Sequence, residues 1–205
     1  MKWMLLAALS LAGSPARAAA PDCELHVWPS FATAATNGGW ASNLGIAGAM
    51  ADYEHNKDQN LRDQVALIEA LTPVVQARLI ADADLPKLLG LPGASLVLES
   101  RPLGRQPAAP PKARRSASSA PCYAELIVSL NAYRKSSLYG RVLVTSFTFR
   151  DFRGGAGKVR TVTGRGSNAV PHFTGLDTGD AEAKRELGEA FAANLRTFAA
   201  KAARP

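Results

Sequence analysis

The stretch CYAELIVSLNAYRKSSLYGRVLVTSFTFRDF, residues 122–152, decides the predicted fold. Between positions 122 and 132 every second side chain is small or apolar and those between them are mixed, which is the period-two pattern of a half-buried strand. Residues 142–149 are rich in β-branched and aromatic side chains and predict a partner strand. The link at 134–140 is short, polar and ends in glycine, so we expect an antiparallel hairpin.

The N-terminal sequence MKWMLLAALSLAGSPARAAA has the organisation of a secretory signal peptide. A lysine precedes an apolar run, and Ala16 and Ala18 fit a signal-peptidase site. We therefore expect residues 1–18 to be a signal peptide, with cleavage after Ala18 or as late as Ala20, and a periplasmic or secreted mature protein. The alternative is a buried N-terminal helix. The apolar run at 44–51 is too short to span a bilayer, so no transmembrane helix is predicted in the mature chain.

The chain has two cysteines, Cys23 and Cys122, and both follow the predicted cleavage site. In an oxidising compartment such a pair is expected to form a disulfide, the alternative being two buried free thiols. The disulfide would close a loop of about a hundred residues, for which chain entropy gives roughly 4–5 kcal/mol of stabilisation. The mature chain, residues 19–205, is long enough for a single domain with a real core.

Basic charge is concentrated in RPLGRQPAAPPKARRSASSAP, residues 101–121, which contains five basic residues and no acid. Removing Lys2 and Arg17 with the signal peptide lowers the formal net charge from +7 to +5, and these five account for that excess. We expect a disordered basic Pro/Ala-rich insertion between two strands of one domain. Because the rest of the mature chain is neutral, we expect no nucleic-acid partner. The five residues, which could make weak contact with anionic lipid, are Arg101, Arg105, Lys112, Arg114 and Arg115.

The other elements can be placed from local pattern. CELHVWP, SLVLE and KVRTVTG predict three more strands, and residues 181–202 predict a final amphipathic helix. Apolar residues recur at helical spacing in a segment interrupted by Pro73, which predicts a broken or kinked helix. These residues are Leu61, Val65, Ile68, Val75 and Leu79. The Ala/Gly-rich residues 30–53 predict a loop leading into a short helix, or alternatively a membrane-touching flap. The sum is an α+β (or α/β) fold: a mostly antiparallel sheet of about five strands with helices on one face.

Catalytic and metal-binding patterns are weak in this sequence. His26, His55 and His172 do not lie at zinc-site spacings, and we predict no metal and no cofactor. A hydrolase would need an unrecognised site in a loop at 164–178, such as a triad of Ser167, His172 and Asp177. We therefore favour a protein without catalytic activity.

The pieces CELHVWP, CYAEL, LYGRVLVTSFTFRDF and LGEAFAANLRTFAAK resemble an uncharacterised group of exported bacterial proteins over most of the mature chain. That resemblance implies export and brings no activity, cofactor or site residue. The order of elements is also similar to small α/β modules of cell-envelope assemblies, such as the N-terminal domain of TolB or the curli secretion channel. This second similarity concerns layout alone.

The leading hypothesis is a non-catalytic periplasmic accessory or binding module that contacts another cell-envelope protein. The alternatives are a periplasmic hydrolase using the 164–178 loop and a surface-tethering protein using the 101–121 insertion. Five polar and aromatic residues of the hairpin region are the candidate partner contacts. These are Tyr123, Tyr133, Arg150, Asp151 and Arg153.

Overall fold

The structure is a computed structural model that describes residues 23–39, 41, 45–100, 113–137, 140–154, 158–174 and 181–204. The predicted signal peptide and residues 101–112 of the predicted insertion lie outside these residues. The strands are β1 (Cys23–Trp28), β2 (Thr33–Gly38), β3 (Ser95–Leu98), β4 (Cys122–Ser136), β5 (Gly140–Asp151) and β6 (Arg160–Ala169). The helices are α1 (Ile46–His55), α2 (Lys57–Ala70), α3 (Pro73–Ala81), α4 (Leu85–Leu88) and α5 (Ala181–Ala202).

The predicted hairpin is present as the antiparallel pair β4–β5, and the helix predicted to break at Pro73 is present as α2 and α3. Thr72 caps α3, because its side chain accepts a hydrogen bond from the backbone N–H of Val75. Proline at the first helical position loses no intrahelical bond, so the break costs little. Local pattern therefore placed these elements well.

The sheet is mixed and has six strands, so the prediction of a mostly antiparallel five-stranded sheet is wrong. β1 and β3 pair in parallel, and β1 and β2 each pair in parallel with β4. Only β4–β5 and β5–β6 are antiparallel. β3 is parallel to β1 because the helical crossover α1 to α4 returns the chain to the same end of the sheet, and residues 99–121 return it again before β4.

β1 and β2 lie end to end along one edge of β4, beside its first and second halves. The register between β4 and β5 shifts between Val128 and Leu130, a β-bulge that reverses which side chains of β4 face the helices. Before the shift even-numbered residues such as Leu126 face inward, and after it odd-numbered residues such as Tyr133 do so. We call the helix-covered side the inner face and the other side the outer face.

The core lies between the inner face and the helices. Its large buried side chains come from β1, β4 and β5 on one side and from α2 to α5 on the other. α5 sits closest to β5 and β6. Its buried Asn194 donates to the backbone carbonyl of Leu143 and to the Thr145 hydroxyl, and accepts from the Asn168 amide. These bonds fix the register of α5 on the sheet.

Gly166 on β6 allows this close approach, and we expect Gly166→Ala to destabilise the protein by about 2 kcal/mol. A Cβ at position 166 would lie 2.4 Å from the Cα of Asn194 and 2.6 Å from its carbonyl oxygen, so α5 would have to move. Denaturant unfolding of both proteins would measure the loss. The matched control is Gly188→Ala on α5, where the new methyl would lie 3.7 Å from Leu79 and improve helix propensity. Equal stability of the two variants would contradict the proposed packing.

The first half of α2 turns polar side chains toward the free edge of β2, whereas its second half packs apolar side chains into the core. Asn60 accepts a hydrogen bond from the backbone N–H of Asn37, and Gln64 donates to the carbonyl of Thr33. The carboxylate of Asp63 is buried and accepts a hydrogen bond from the side-chain amide of Asn37 at 2.6 Å. These side chains bond backbone groups on the free edge of β2 that another strand would otherwise pair. The apolar stripe of α2 is left facing solvent.

The predicted disulfide is confirmed between Cys23 and Cys122. The two residues are directly opposite each other at the start of the parallel pair β1–β4. The bond therefore joins strands that are 99 residues apart in sequence.

Candidate functional site

Four of the five predicted partner contacts are buried, so they do not form a contact surface. Tyr123 and Tyr133 are 0% and 1% exposed, and Arg150 and Asp151 are 5% and 7% exposed. Tyr133 and Asp151 lie on the inner face, whereas Tyr123 and Arg150 lie on the outer face beneath residues 113–121. Arg153 is partly exposed and pairs with Asp151 at 2.8 Å. Strand periodicity placed Tyr123 and Tyr133 on one face, but the bulge in β4 puts them on opposite faces, and periodicity did not indicate that the outer face is covered.

Residues 113–121, which we call the strap, cover the outer face where β1, β4 and β5 meet. The strap was predicted to be disordered, but polar contacts hold it in place. The backbone N–H of Arg115 donates to Glu125, and the carbonyl of Ala113 accepts from Arg150. The Ser116 hydroxyl donates to the Tyr123 hydroxyl at 3.0 Å. Hydrogen bonds to buried charged groups explain why a segment poor in apolar residues is ordered here.

A buried ion pair lies under the strap. Glu125 is 0% exposed and its carboxylate receives a hydrogen bond from Arg150 at 2.7 Å. The same carboxylate accepts from the Tyr123 hydroxyl at 2.9 Å. Burial, reinforced by the charge of Glu125, raises the pKa of Tyr123 to about 12. Tyr123 therefore stays a neutral hydrogen-bond donor, and the cluster holds the strap to the sheet.

A second polar group lies beside the strap. His26 bonds Glu99 through Nδ1 at 2.6 Å and Glu24 through Nε2 at 2.9 Å. The Ser118 hydroxyl donates to Glu24, and this bond together with that from His26 lowers the pKa of the Glu24 carboxyl. Because both ring nitrogens are occupied, the geometry supports a structural role for His26. Among the described residues, no three His, Cys, Asp or Glu side chains are placed to hold a metal ion.

The residues of the hydrolase hypothesis are not brought together. Residues 164–169 belong to β6 and are not part of a loop. Asn168 bonds α5 on the inner face, so its neighbour Ser167 points to the outer face. His172 instead bonds Glu186 of α5 at 3.1 Å. Asp177 lies outside the described residues.

The proposed lipid-contact residues divide into two groups. Arg101, Arg105 and Lys112 lie outside the described residues. Arg114 donates to the carbonyls of Ser118 and Ala120 and stacks over the Tyr123 ring at 4.6 Å. Arg115 also faces the Glu125 carboxylate, at 3.9 Å. Both arginines of the strap are therefore engaged within the protein.

An exposed apolar stripe on α2 is the most unusual surface feature among the described residues. Leu61, Val65 and Ile68 are 61%, 45% and 45% exposed and lie on one helical face. Phe31 is 63% exposed. It and Ile68 both line a small pocket of about 140 Å³. We call these four residues the α2 surface. The sequence showed the spacing of the stripe, but such spacing usually indicates a face packed on the core.

A similar stripe lies on α1. Ile46, Met50 and Tyr53 are all more than half exposed and follow one another at the spacing of a helix face. They border a shallow pocket of about 300 Å³. Exposed apolar side chains are ordinary when scattered, but two stripes on consecutive helices indicate an interaction site.

The helices carrying these stripes are acidic within a basic chain. Residues 45–83 contain six Asp or Glu and three Lys or Arg, against a net charge of +7 for the whole sequence. Glu54, Asp58 and Glu69 are exposed.

No single helix in the described part of the chain is long and apolar enough to cross a bilayer. The pair α2 and α3, which is bent by 50°, would be long and apolar enough if the two helices are counted together, on length and composition alone.

No family model and no curated protein matches the chain. Among the solved structures, it is similar to one described as "Crystal structure of uncharacterized protein", with 15% sequence identity and a TM-score of 0.33. The similarity covers 89% of this chain and 91% of that chain. A similarity of this degree carries no argument about fold or function.

Proposed function

We propose that the protein is a non-catalytic, exported binding module that docks onto a protein partner of the cell envelope through the α2 surface. The exposed apolar stripe of α2 carries this proposal. Export is supported by the signal-peptide pattern and by the disulfide, which is typical of oxidising compartments. We also place the chain with the exported bacterial group that its sequence resembles.

The charge around the α2 surface favours a protein partner over a lipid surface. Anionic lipid attracts basic segments, whereas the exposed charged residues of 45–83 are four acids and three bases. The expected partner presents an apolar ridge bordered by basic side chains, since complementary charge speeds association and excludes wrong partners. Because α2 already satisfies its own backbone and the edge of β2, it offers a preformed surface.

Removal of the stripe is expected to weaken binding at least tenfold. The variant Leu61→Gln, Val65→Gln, Ile68→Gln replaces three exposed side chains, so the fold should persist while a central apolar contact is lost. A photo-crosslinker at position 65 would identify the partner in envelope extracts. The purified partner would then be titrated against the purified wild-type and variant proteins.

The control is Leu98→Gln on β3, which changes a leucine that is 39% exposed and lies outside the α2 surface. Loss of affinity in the triple variant with an unchanged control would support the proposal. Crosslinking only to a second copy, saturable binding only to anionic vesicles, or equal affinity of the triple variant would overturn it.

A further inference from the structure

The outer face beyond the strap holds a groove of about 630 Å³ that the proposed docking function does not use. It lies over the second half of β4, the start of β5 and the end of β6. The groove is thus separated from the α2 surface by the thickness of the sheet. Its main lining residues are Thr36, Arg134, Lys135, Val142, Val144 and Arg165.

The floor of the groove is apolar. Val142 and Val144 on β5 point to the outer face and line the groove. They lie beyond the part of the sheet that the strap covers. Across the strands, Val142 lies between Arg134 and Ala169, and Val144 lies between Ala132 and Ser167. Each valine therefore has one polar and one small apolar neighbour, so polar groups border an apolar floor, which is the arrangement of a site that orients an amphipathic ligand.

The rim of the groove is basic. Arg134 and Arg165 are exposed, and no acidic partner for either is found among the described residues. Arg165 on β6 is paired with Ser146 of β5, and Arg134 on β4 is paired with Val142 of the same strand. Counted along β5 at roughly 3.4 Å per residue, the two arginines are therefore about 14 Å apart in the strand direction. The valine floor runs between these charges.

We propose that this groove binds an anionic group carried on an apolar chain, such as the phosphate or carboxylate of a single-chain amphiphile. An arginine at one end of the floor holds the anionic group, and the chain lies along Val142 and Val144 toward the other end. An inorganic anion would leave the apolar floor uncovered, and a neutral amphiphile would leave the cations without a partner. Arginine suits this task because its planar guanidinium can bind phosphate or carboxylate with two hydrogen bonds.

The test is calorimetric titration of the mature protein with dodecyl phosphate below its micellar concentration. We expect saturable binding that is at least tenfold tighter than binding of inorganic phosphate or of dodecyl maltoside. Arg134→Gln with Arg165→Gln should weaken it at least tenfold. Val142→Thr should weaken binding of dodecyl phosphate and leave that of inorganic phosphate unchanged.

The matched control is Arg196→Gln, which removes one exposed charge on α5 away from the groove. An equal loss in this control, or equal binding of dodecyl maltoside, would overturn the proposal. Anionic vesicles serve as competitors: competition would assign the group to a membrane headgroup, and its absence to a dispersed amphiphile. Variants of the α2 surface should leave this binding unchanged, so failure of one proposal is distinguishable from failure of the other.

Discussion

Replacing both cysteines, with Cys23→Ala and Cys122→Ala, is expected to lower the free energy of unfolding by about 4–5 kcal/mol. The disulfide closes a loop of 99 residues, so it removes a large part of the conformational freedom of the unfolded chain. The bond also joins β1 to β4, a parallel pair whose strands are separated in sequence by the helices, β3 and the insertion.

Urea unfolding of the oxidised wild type and of the double-alanine variant would measure this loss. Reduction of the wild type should reproduce it, whereas the same reductant should leave the variant unchanged. The slope of the free energy of unfolding against urea concentration should also be steeper in the variant, because an unfolded chain without the cross-link exposes more surface. A loss below about 1 kcal/mol would show that the chain-entropy argument fails here.

The parts of the fold that follow from local pattern were predictable. The alternation in β4 and the β-branched run in β5 describe strands whose neighbours are adjacent in sequence, and Pro73 marks a helix break by covalent geometry alone. The pairing of Cys23 with Cys122 followed from their number and the predicted compartment.

Strand order was not predictable in the same way. β2 has the sequence TAATNG, which has no aromatic or large apolar residue and whose β-branched residues are two threonines, and it is a strand because β4 offers it a partner edge. The parallel pairing of β1 with β4 depends on the helical crossover. Local periodicity contains neither fact, because both depend on contacts far apart in sequence.

The candidate surface was missed for a related reason. The stripe of Leu61, Val65 and Ile68 has the spacing of a buried face, but two different demands competed for the orientation of α2. The edge of β2 requires polar partners, and Asn60 and Gln64 supply them. Since unsatisfied backbone groups cost more than an exposed leucine, the helix keeps these polar side chains on β2 and Leu67 in the core, and the stripe is left in solvent.

Arg150→Met is expected to destabilise the protein by about 3–5 kcal/mol, because it leaves the Glu125 carboxylate buried without its cation. Glu125 is 0% exposed, and it would keep only neutral donors together with the more distant Arg115. The substitution also removes the hydrogen bond from Arg150 to the Ala113 carbonyl, which holds the start of the strap. We therefore expect faster proteolysis of residues 113–121 as well as a lower urea midpoint.

The double variant Arg150→Met, Glu125→Gln distinguishes a buried charge from lost packing. Glutamine keeps an oxygen that can accept from the Tyr123 hydroxyl and the Arg115 backbone N–H, so most of the stability should return. Arg185→Gln removes a guanidinium whose partners among the described residues are the exposed Glu182 and Glu189, and it should leave the midpoint unchanged. If the double variant were as unstable as Arg150→Met alone, the packing of the arginine over Phe152, and not its charge, would hold the outer face together.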